Sequence, residues 1–460
     1  MLAPLRTPAY RHLFAAQILS LVGTGLTTVA LGLLAFDLAG ADAGLVLGTA
    51  LAIKMVAYVG LAPLAGAIAG RFPRRRFLVT LDVARAAMVL FLPFVTAVWQ
   101  VLLLVFLFQA CSAAFTPTFQ ATIPDILEDE ETYTEALSLS RLAYDLEALV
   151  SPMLAGLLLT VISFHWLFAG NALGFLASAA LVLSAVLPPT ARQAPERTFV
   201  QRLTRGAWIY LSTPRLRGLL ALSLAVSSAG AMVIVNTVVL VRDTLGGTER
   251  DVAFLFAAFG AGSITVALLL PRLLARLEAR SVMIAGGAIL PMVLLSALLE
   301  PGYGGALLLW AALGAGVSLI QTPSGLLLRR SSREEDRPAL FSAQFALSHA
   351  CWLVAYPVAG VVGARFGLDT AFAVLAAGAA LGTAAALLVW PRHDPAELWH
   401  EHDEVEHAHG AADEAHHGPH AALWPDGSGR RHRHRRVHHA HVFVIDDHHP
   451  RWPSRSRTNT

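Results

Sequence analysis

Long apolar runs alternate with short polar segments along most of the chain, and the runs have the length of membrane-spanning helices. A helix rises about 1.5 Å per residue, so about 20 mostly apolar residues cross the hydrocarbon core of a bilayer. The pattern predicts twelve spans in two sets of six. We expect them near residues 13–35, 45–69, 77–97, 99–122, 136–161, 165–187, 216–240, 252–273, 281–299, 303–327, 339–364 and 369–391.

The composition agrees with an all-α integral membrane protein. The chain is 55% hydrophobic and 14% charged, whereas soluble proteins carry about 25% charged residues. The order of the runs predicts a six-helix bundle over residues 1–190, a cytoplasmic linker over 191–215, a second bundle over 216–391 and a cytoplasmic tail over 392–460. Neither a phosphate-binding loop nor a nucleophile elbow occurs, so we expect no enzyme activity and no coupling to ATP.

Arginines concentrate in alternate loops, which predicts the orientation of the spans. If the N-terminus is cytoplasmic, the inner loops carry Arg71, Arg74 and Arg75 and later Arg329 and Arg330. The opposite loops hold few cations. We therefore expect both termini to be cytoplasmic.

The two predicted bundles share weak internal similarity, which favours a transporter. Thr116-Pro117 near the end of the fourth span recurs as Thr322-Pro323 near the end of the tenth. Repeated halves are typical of secondary transporters, whose substrate site lies between the repeats near the bilayer midplane.

The loop after the second span carries Gly66, Arg71, Arg74 and Arg75 at the spacing of a known transporter motif. On this loop and the six-plus-six pattern, residues 5–391 resemble the major facilitator superfamily. The resemblance implies two six-helix bundles and alternating access. Gly70 stands where that family's motif has an acidic residue, which puts the charge relay usually attributed to the motif in doubt.

Three segments, at residues 26–37, 115–124 and 138–147, resemble the nickel-resistance exporters of this superfamily, which also carry histidine-rich tails. This resemblance implies a proton-coupled exporter of a divalent metal in the bacterial inner membrane, with nickel favoured and cobalt second. Macrolide and siderophore exporters share much of the same pattern. Export of an amphipathic drug or a siderophore-like compound is therefore the alternative, and a metal-sensing membrane scaffold is an alternative of another class.

Ionisable residues inside the predicted spans are candidates for transport and proton coupling, because charge in lipid is costly. Lys54 is the only lysine of the chain and lies in the second span. In the fifth span, Arg141 and Asp145 are four residues apart and should pair on one face. Glu147 lies about 200° from Asp145 around the helix. Because no basic residue lies on its own stripe, we expect Glu147 to carry the proton or cation. Structural ion pairs explain the same residues equally well.

Polar stripes on three spans predict the lining of a central cavity. In the resembled fold the first, fourth, seventh and tenth spans line the central path. Hydrogen bonding between helices is the alternative role for such side chains. His349 is a further candidate in the eleventh span, whereas Cys351 lies on the opposite face and cannot share an ion with it. The predicted lining residues are Gln17, Thr24, Gln109, Thr116, Gln120, Gln321 and His349.

The tail concentrates histidines in short clusters, a composition typical of metal binding. Neutral imidazole suits nickel, zinc and copper. We expect the tail to be disordered without metal. For the whole protein we expect no cofactor beyond a proton gradient, no nucleic acid and no obligate protein partner; its partners are the lipid bilayer and a small cation or molecule. The candidate ligands are His400, His402, His407, His409, His416, His417, His420, His432, His434, His438, His439 and His441.

Overall fold

The computed structural model describes residues 2–39, 43–69, 71–188, 198–392, 397–402, 405–410, 422–423, 429–434, 437–446, 449 and 452. The chain divides into two compact units, Met1–Arg392 and His393–Thr460. The first unit is helical and contains the candidate site.

Fourteen α-helices make up the described part of the first unit. They are α1 (Pro8–Ala39), α2 (Ala43–Ala69), α3 (Arg74–Phe91), α4 (Val98–Ile126), α5 (Glu130–Leu158), α6 (His165–Ser184), α7 (Phe199–Ser212), α8 (Pro214–Val239), α9 (Glu249–Leu274), α10 (Ala279–Ser296), α11 (Gly302–Gln321), α12 (Ser324–Arg330), α13 (Arg337–Phe366) and α14 (Leu368–Val389).

Eleven helical stretches in the described residues are long and apolar enough to cross a membrane. Helices α11 and α12 together form one of them, Gly302–Arg330. Helix α5 is not among the eleven, although its 29 residues exceed the length of a span. Its apolar sequence is interrupted by Arg141, Asp145 and Glu147, and charged residues lower the hydropathy of a helix steeply.

Small residues allow the helices to pack closely. A β-carbon on Gly174 of α6 would lie 2.8 Å from the carbonyl oxygen of Leu19 in α1. Gly262 of α9 lies against the backbone of Ala311 in α11, and Gly314 of α11 lies against the backbone of Phe259 in α9. Close backbone approach at small residues is the usual device of membrane helices, which lack a hydrophobic drive to associate. The pairs α1–α6, α9–α11 and α8–α14 accordingly make the most extensive contacts.

The repeated Thr-Pro pair behaves differently in the two predicted bundles. Pro117 is accommodated inside α4, whereas Pro323 separates α11 from the short helix α12. Proline removes a backbone donor and commonly kinks or ends a helix. The second bundle therefore has a break where the first has a continuous helix.

The predicted linker contains a helix, α7, that the apolar pattern did not indicate. Thr198 Oγ1 accepts from the backbone N–H of Gln201 (3.3 Å), and Gln201 Oε1 accepts from the N–H of Thr198 (2.9 Å). This reciprocal capping box is a sequence signature of a helix start. Helix α7 packs on α13, α2 and α8.

The second unit contains short antiparallel strands in its described segments. Strand β1 (Glu397–His402) pairs with β5 (Val437–Val442). Strand β4 (Gly429–His434) pairs with both β2 (Val405–Gly410) and β3 (Ala422–Leu423). Disorder of the tail without metal stays a prediction.

Candidate functional site

A cavity of about 480 Å³ lies at the centre of the helical unit. Helices α1, α2, α4 and α5 contribute to one side, and α8, α11, α12 and α13 contribute to the other. The cavity therefore lies between the two predicted bundles, where the sequence placed a substrate path.

Amides, hydroxyls and aromatic rings dominate the wall of this cavity. Among the described lining residues, Arg141 carries a full charge, and its partner Asp145 neutralises it. Apolar side chains fill the remaining wall. The polar and aromatic lining residues include Gln17, Gln120, Gln321, Gln344, Thr116, Ser140, Ser223, Ser348, Tyr58, Tyr144, Phe345 and Trp352.

Gln17, Thr116, Gln120 and Gln321 from the predicted polar stripes line this cavity, and so does the separate candidate His349. The other two predicted lining residues lie elsewhere.

Thr24 and Gln109 are not among the residues that line this cavity. Each lies seven residues, or about two helical turns, from a residue that does line the cavity, Gln17 or Thr116. Thr24 and Gln109 lie on the same helix faces as Gln17 and Thr116, but two turns further along, past the end of the cavity. The hydroxyl of Thr24 instead donates to the carbonyl oxygen of Ser20 in its own helix (2.9 Å).

Arg141 and Asp145 form the expected ion pair, with Nη2 2.9 Å from Oδ1. The pair also reaches the second predicted bundle. Arg141 Nε donates to Ser263 Oγ of α9 (2.9 Å), and Nη1 donates to Gln321 Oε1 of α11 (2.6 Å). The hydroxyl of Ser263 in turn donates to Asp145 Oδ2 (2.6 Å). Asp145 is thus held by two donors, and the pair joins α5 to α9 and α11.

Glu147 faces away from this network, as its position on the helix predicted. A β-carbon on Gly25 of α1 would lie 2.5 Å from Glu147 Oε1, so the carboxylate lies against α1. Lys54 of α2 acts on this carboxylate electrostatically. The Lys54 ammonium also lies 5.6 Å from the centroid of the Tyr58 ring. Lys54 and Glu147, the two candidate ionisable groups without a predicted partner, therefore influence each other through space.

His349 joins this ionisable pair to the cavity. Its ring makes an edge contact with Tyr58 (centroids 4.8 Å apart), and Lys54 acts on it electrostatically. The carbonyl oxygen of Phe345 accepts from His349 Nδ1 (2.7 Å), which leaves Nε2 as the nitrogen able to meet a substrate. Cys351 is a free thiol, as is Cys111.

Ion pairs cross between the predicted bundles at one end of the helical unit, which we call the arginine-rich end. It comprises the loops that precede α3, α5 and α13. Asp125 of α4 accepts from both Arg74 of α3 and Arg337 of α13. Glu130 at the start of α5 pairs with Arg330 of α12. These contacts join α3, α4 and α5 to α12 and α13.

The loop-motif residues have different environments. Arg74 belongs to the Asp125 bridge, and Arg75 Nη1 donates to the carbonyl oxygen of Leu183 (3.5 Å). Gly66 allows α2 to approach α13, because a β-carbon there would lie 2.6 Å from Ser342 Oγ. Arg71 is exposed. Gly70 lies outside the described residues.

Two charged sites in the structure were not predicted from the sequence. Asp82 and Arg85 of α3 form a buried pair, with Ser178 of α6 donating to Asp82 (2.8 Å). The Arg85 guanidinium lies 4.0 Å from the ring centroid of Phe115. An acid and a base three residues apart in an apolar run are a visible signal of such a pair. Asp125 gave no comparable signal, because Arg337 is far away in sequence.

The metal candidates of the tail are only partly described. The strand register places the Cα atom of His400 opposite that of His439, and His407 opposite His432. His402, His409, His434, His438 and His441 also lie in strands, while His416, His417 and His420 lie outside the described residues. Among the side chains that the structure describes, no group of three or more His, Cys, Asp or Glu residues could hold a metal.

Comparison with protein families gives a match over most of the chain. A family model described as "Transmembrane secretion effector" matches residues 1–326. A curated relative, the uncharacterized MFS-type transporter YfiS of Bacillus subtilis (strain 168), is 28% identical over 122 residues. That match spans 26% of this chain and 29% of the relative.

Solved transporters share the fold at low sequence identity. A bacterial homologue of the iron transporter ferroportin, in an outward-facing state, has a TM-score of 0.71 at 16% identity, over 82% of this chain and 98% of that one. The human organic anion transporter MFSD10 has a TM-score of 0.68 at 14% identity, over 84% and 99%. The Escherichia coli fucose:proton symporter FucP has a TM-score of 0.65 at 17% identity, over 83% and 98%.

Proposed function

Because the chain belongs to the transmembrane secretion effector family of the major facilitator superfamily, we propose that it exports an amphipathic organic compound in exchange for protons. The observation that carries the proposal is the central cavity with its amides, hydroxyls and aromatic rings. We place the protein in the bacterial inner membrane with both termini cytoplasmic, and we propose α5 as the twelfth span.

The chemistry of the cavity supports an organic substrate. Small-molecule sites are typically about 300–1,000 Å³ in volume, mostly apolar, with a few polar groups that orient the ligand. The cavity has about 480 Å³ and fits this description. Four glutamine amides can donate and accept hydrogen bonds, and rings such as Tyr58 and Trp352 offer flat apolar surface.

A divalent metal, which the sequence favoured, is the second candidate substrate. Its support is the histidine-rich tail. Within the cavity, His349 is the one imidazole among the described lining residues, and Asp145 is already held by Arg141. Nickel export through this cavity therefore needs ligands that the described side chains do not bring together. A metal-sensing scaffold without transport is less well supported, because it gives the cavity no role.

Proton coupling has its best candidate in Glu147. A carboxylate at this depth carries a large cost when charged, unless a cation lies near it. Lys54 supplies that cation. Protonation of Glu147 removes a negative charge that acts on Lys54, and a change in Lys54 reaches the cavity through Tyr58 and His349. This connection gives protonation and substrate binding a common structural element.

Alternating access requires the bundles to separate at the arginine-rich end. The Asp125 bridge and the Arg330–Glu130 pair must break for this to happen. The Arg141 network must also rearrange, because it joins α5 to α9 and α11. We propose that substrate in the cavity competes for the amide of Gln321 and so loosens that network.

The proposal is tested with purified full-length protein in proteoliposomes that have an acidic lumen. Uptake of ethidium and rhodamine 6G is measured beside uptake of radioactive nickel, with nigericin to collapse the gradient. We expect gradient-dependent uptake of at least one dye and none of nickel. Nickel uptake without dye uptake would replace the organic substrate with the metal. If ethidium, rhodamine 6G and nickel all fail to enter, neither the organic substrate nor the metal substrate is supported.

A matched pair of variants tests whether the cavity is the path. Gln120 and Gln109 lie on the same helix, but only Gln120 lines the cavity. Loss of one hydrogen bond of about 0.5–1.5 kcal/mol predicts a rise in KM for the dye of about 2- to 12-fold in Gln120→Ala. Gln109→Ala should behave like the unmodified protein. Equal effects in the two variants would argue against transport through this cavity.

A further inference from the structure

A second, smaller cavity lies between α2, α7 and α13 and is separate from the central one. It has a volume of about 180 Å³. Val59 and Pro63 of α2 form one wall, and Leu203 and Ala207 of α7 form another. The third wall is a strip of α13 whose side chains are Ala339, Ala343, Ala346, Leu347 and Ala350. We call this cavity the α7 groove.

The α7 groove runs from the arginine-rich end into the depth of the membrane. Ala339 lies near the start of α13, and Ala350 lies about 17 Å further along the helix at 1.5 Å per residue. The long axis of the groove thus matches the direction of a lipid acyl chain. Apart from Arg202, its wall is apolar.

Arg202 of α7 supplies a positive charge beside this apolar surface. It lines the groove and is half-buried. Its Nε is buried without a hydrogen-bond acceptor. No carboxylate within the described part of the chain pairs with it. An arginine in this setting is complementary to a phosphate, which guanidinium groups bind with two parallel hydrogen bonds.

The outer face of α7 has the character of a helix at a membrane surface. Val200, Trp208 and Leu211 lie on one stripe, and their exposed fractions are 65%, 36% and 50%. Apolar side chains with tryptophan on one face are typical of helices that lie in the interfacial region of a bilayer. This character places the end of the α7 groove beside Arg202 at the depth where phospholipid headgroups are found.

The inner face of α7 is fixed to α13 and to the central cavity. Gly206 lies directly against the backbone of Ala339. The guanidinium of Arg205 donates to both carboxylate oxygens of Asp336, with the shortest contact at 2.9 Å. The hydroxyl of Tyr210 donates to Gln344, which lines the central cavity.

We propose that the α7 groove binds a phospholipid with an anionic headgroup, its phosphate on Arg202 and an acyl chain between α2 and α13. Helices α2 and α13 belong to different predicted bundles, so the lipid contacts both. A bound lipid favours the arrangement in which these helices enclose the groove. Through Tyr210 and Gln344, the same lipid acts on the cavity wall.

The proposal is tested by native mass spectrometry of the full-length protein in micelles titrated with dioleoyl phosphatidylglycerol or dioleoyl phosphatidylcholine. We expect phosphatidylglycerol to bind more tightly. Arg202→Gln should weaken its binding about fivefold, which is the effect of one cation near an anionic lipid. Arg217→Gln changes an exposed arginine of α8 near the same end of the bundle and should have no effect.

Two further experiments distinguish a lipid site in the α7 groove from a site that binds phosphate alone. Ala350→Leu fills the inner part of the groove at a half-buried position, so it should weaken phosphatidylglycerol binding while Arg202 is intact. Glycerophosphate, which lacks acyl chains, should not displace the lipid. Equal affinities in Arg202→Gln and Arg217→Gln would overturn the proposal. Full displacement by glycerophosphate would also overturn it, because the acyl chain would then play no part.

Discussion

Asp145 and Glu147 are two residues apart on α5, but their surroundings differ completely. Asp145 accepts from Arg141 and from Ser263, and this network reaches a second bundle through α9 and α11. Glu147 lies against Gly25 and interacts with Lys54, all within the first predicted bundle. The first carboxylate is held from two sides, whereas the second has one cation to balance its charge.

This difference assigns different tasks to the two carboxylates. A carboxylate that several donors fix in place loses much free energy when it is protonated, so it serves to hold helices together. A carboxylate that faces a single cation can exchange a proton with a smaller rearrangement. The buried acids of this protein can be sorted by the same criterion: Asp125, with its two arginines, belongs with Asp145.

The largest expected effect comes from removing Arg141, which leaves Asp145 as a buried charge without its cation. Breaking a buried ion pair costs about 3–5 kcal/mol. We expect Arg141→Ala to lower the melting temperature of the purified protein strongly and to abolish transport. Thermal unfolding followed by intrinsic fluorescence measures the first effect.

The double variant Arg141→Ala/Asp145→Ala is the control for that prediction. Removing both partners leaves no uncompensated charge, so it should recover much of the lost stability. A double variant no more stable than Arg141→Ala would show that the pair contributes through packing rather than through charge.

A smaller effect is expected at Asp125, where the bridge lies near the end of the bundle. Asp125→Asn weakens the hydrogen bonds from Arg74 and Arg337, each worth about 1.5–3 kcal/mol with its charge. The arginine-rich end should open more often. Ser332, which is 7% exposed at that end, can be replaced by cysteine in a Cys111→Ala/Cys351→Ala background to measure maleimide labelling.

Labelling at residue 332 should be faster in Asp125→Asn than in the unmodified background. Glu128→Gln changes an exposed acid three residues away and should leave the rate unchanged. Faster labelling in both variants would indicate a general effect of charge on the reagent, and unchanged labelling in both would argue against the bridge as a lock.

The smallest effect is expected at Asp129, an exposed carboxylate that caps α5. Its Oδ2 accepts from the N–H and the hydroxyl of Thr132 (2.8 and 2.7 Å), and these hydrogen bonds lower the pKa of Asp129. A lowered pKa means stabilisation that is present above the ordinary value of about 3.9 and is lost as the pH falls through the folded-state pKa.

Asp129→Ala should therefore lower the melting temperature slightly at pH 7, and the difference between the two proteins should shrink as the pH is lowered below 3.8 and through the folded-state pKa of Asp129. A constant difference between them across this range would show that the effect of the substitution is unrelated to the charge of the cap.

The apolar runs predicted the positions of the spans because membrane thickness fixes their length. The run near 165–187 became α6 (His165–Ser184), and that near 369–391 became α14 (Leu368–Val389). Helix α7 was not predicted, although its capping signature at Thr198 and Gln201 is visible in the sequence. A search for apolar runs alone does not detect a short interfacial helix.

The site was predictable only where one helix carries the information. Helical spacing indicated that Arg141 and Asp145 pair and that Glu147 points elsewhere, and the structure agrees. It could not indicate that Lys54 acts electrostatically on Glu147, because this depends on how the separate helices α2 and α5 are placed in the fold. The depth of the cavity, which excluded Thr24 and Gln109, likewise depends on all the surrounding helices.

The most direct test of this account compares Glu147→Gln with the unmodified protein in proteoliposomes, using a dye that the unmodified protein transports. Uptake driven by a pH gradient and exchange of dye at equal pH are measured in the same preparation. We predict that Glu147→Gln loses gradient-driven uptake but retains exchange, because the cavity and the Arg141 network are intact. Gradient-driven uptake that persists in Glu147→Gln would contradict the assignment of proton coupling to this carboxylate.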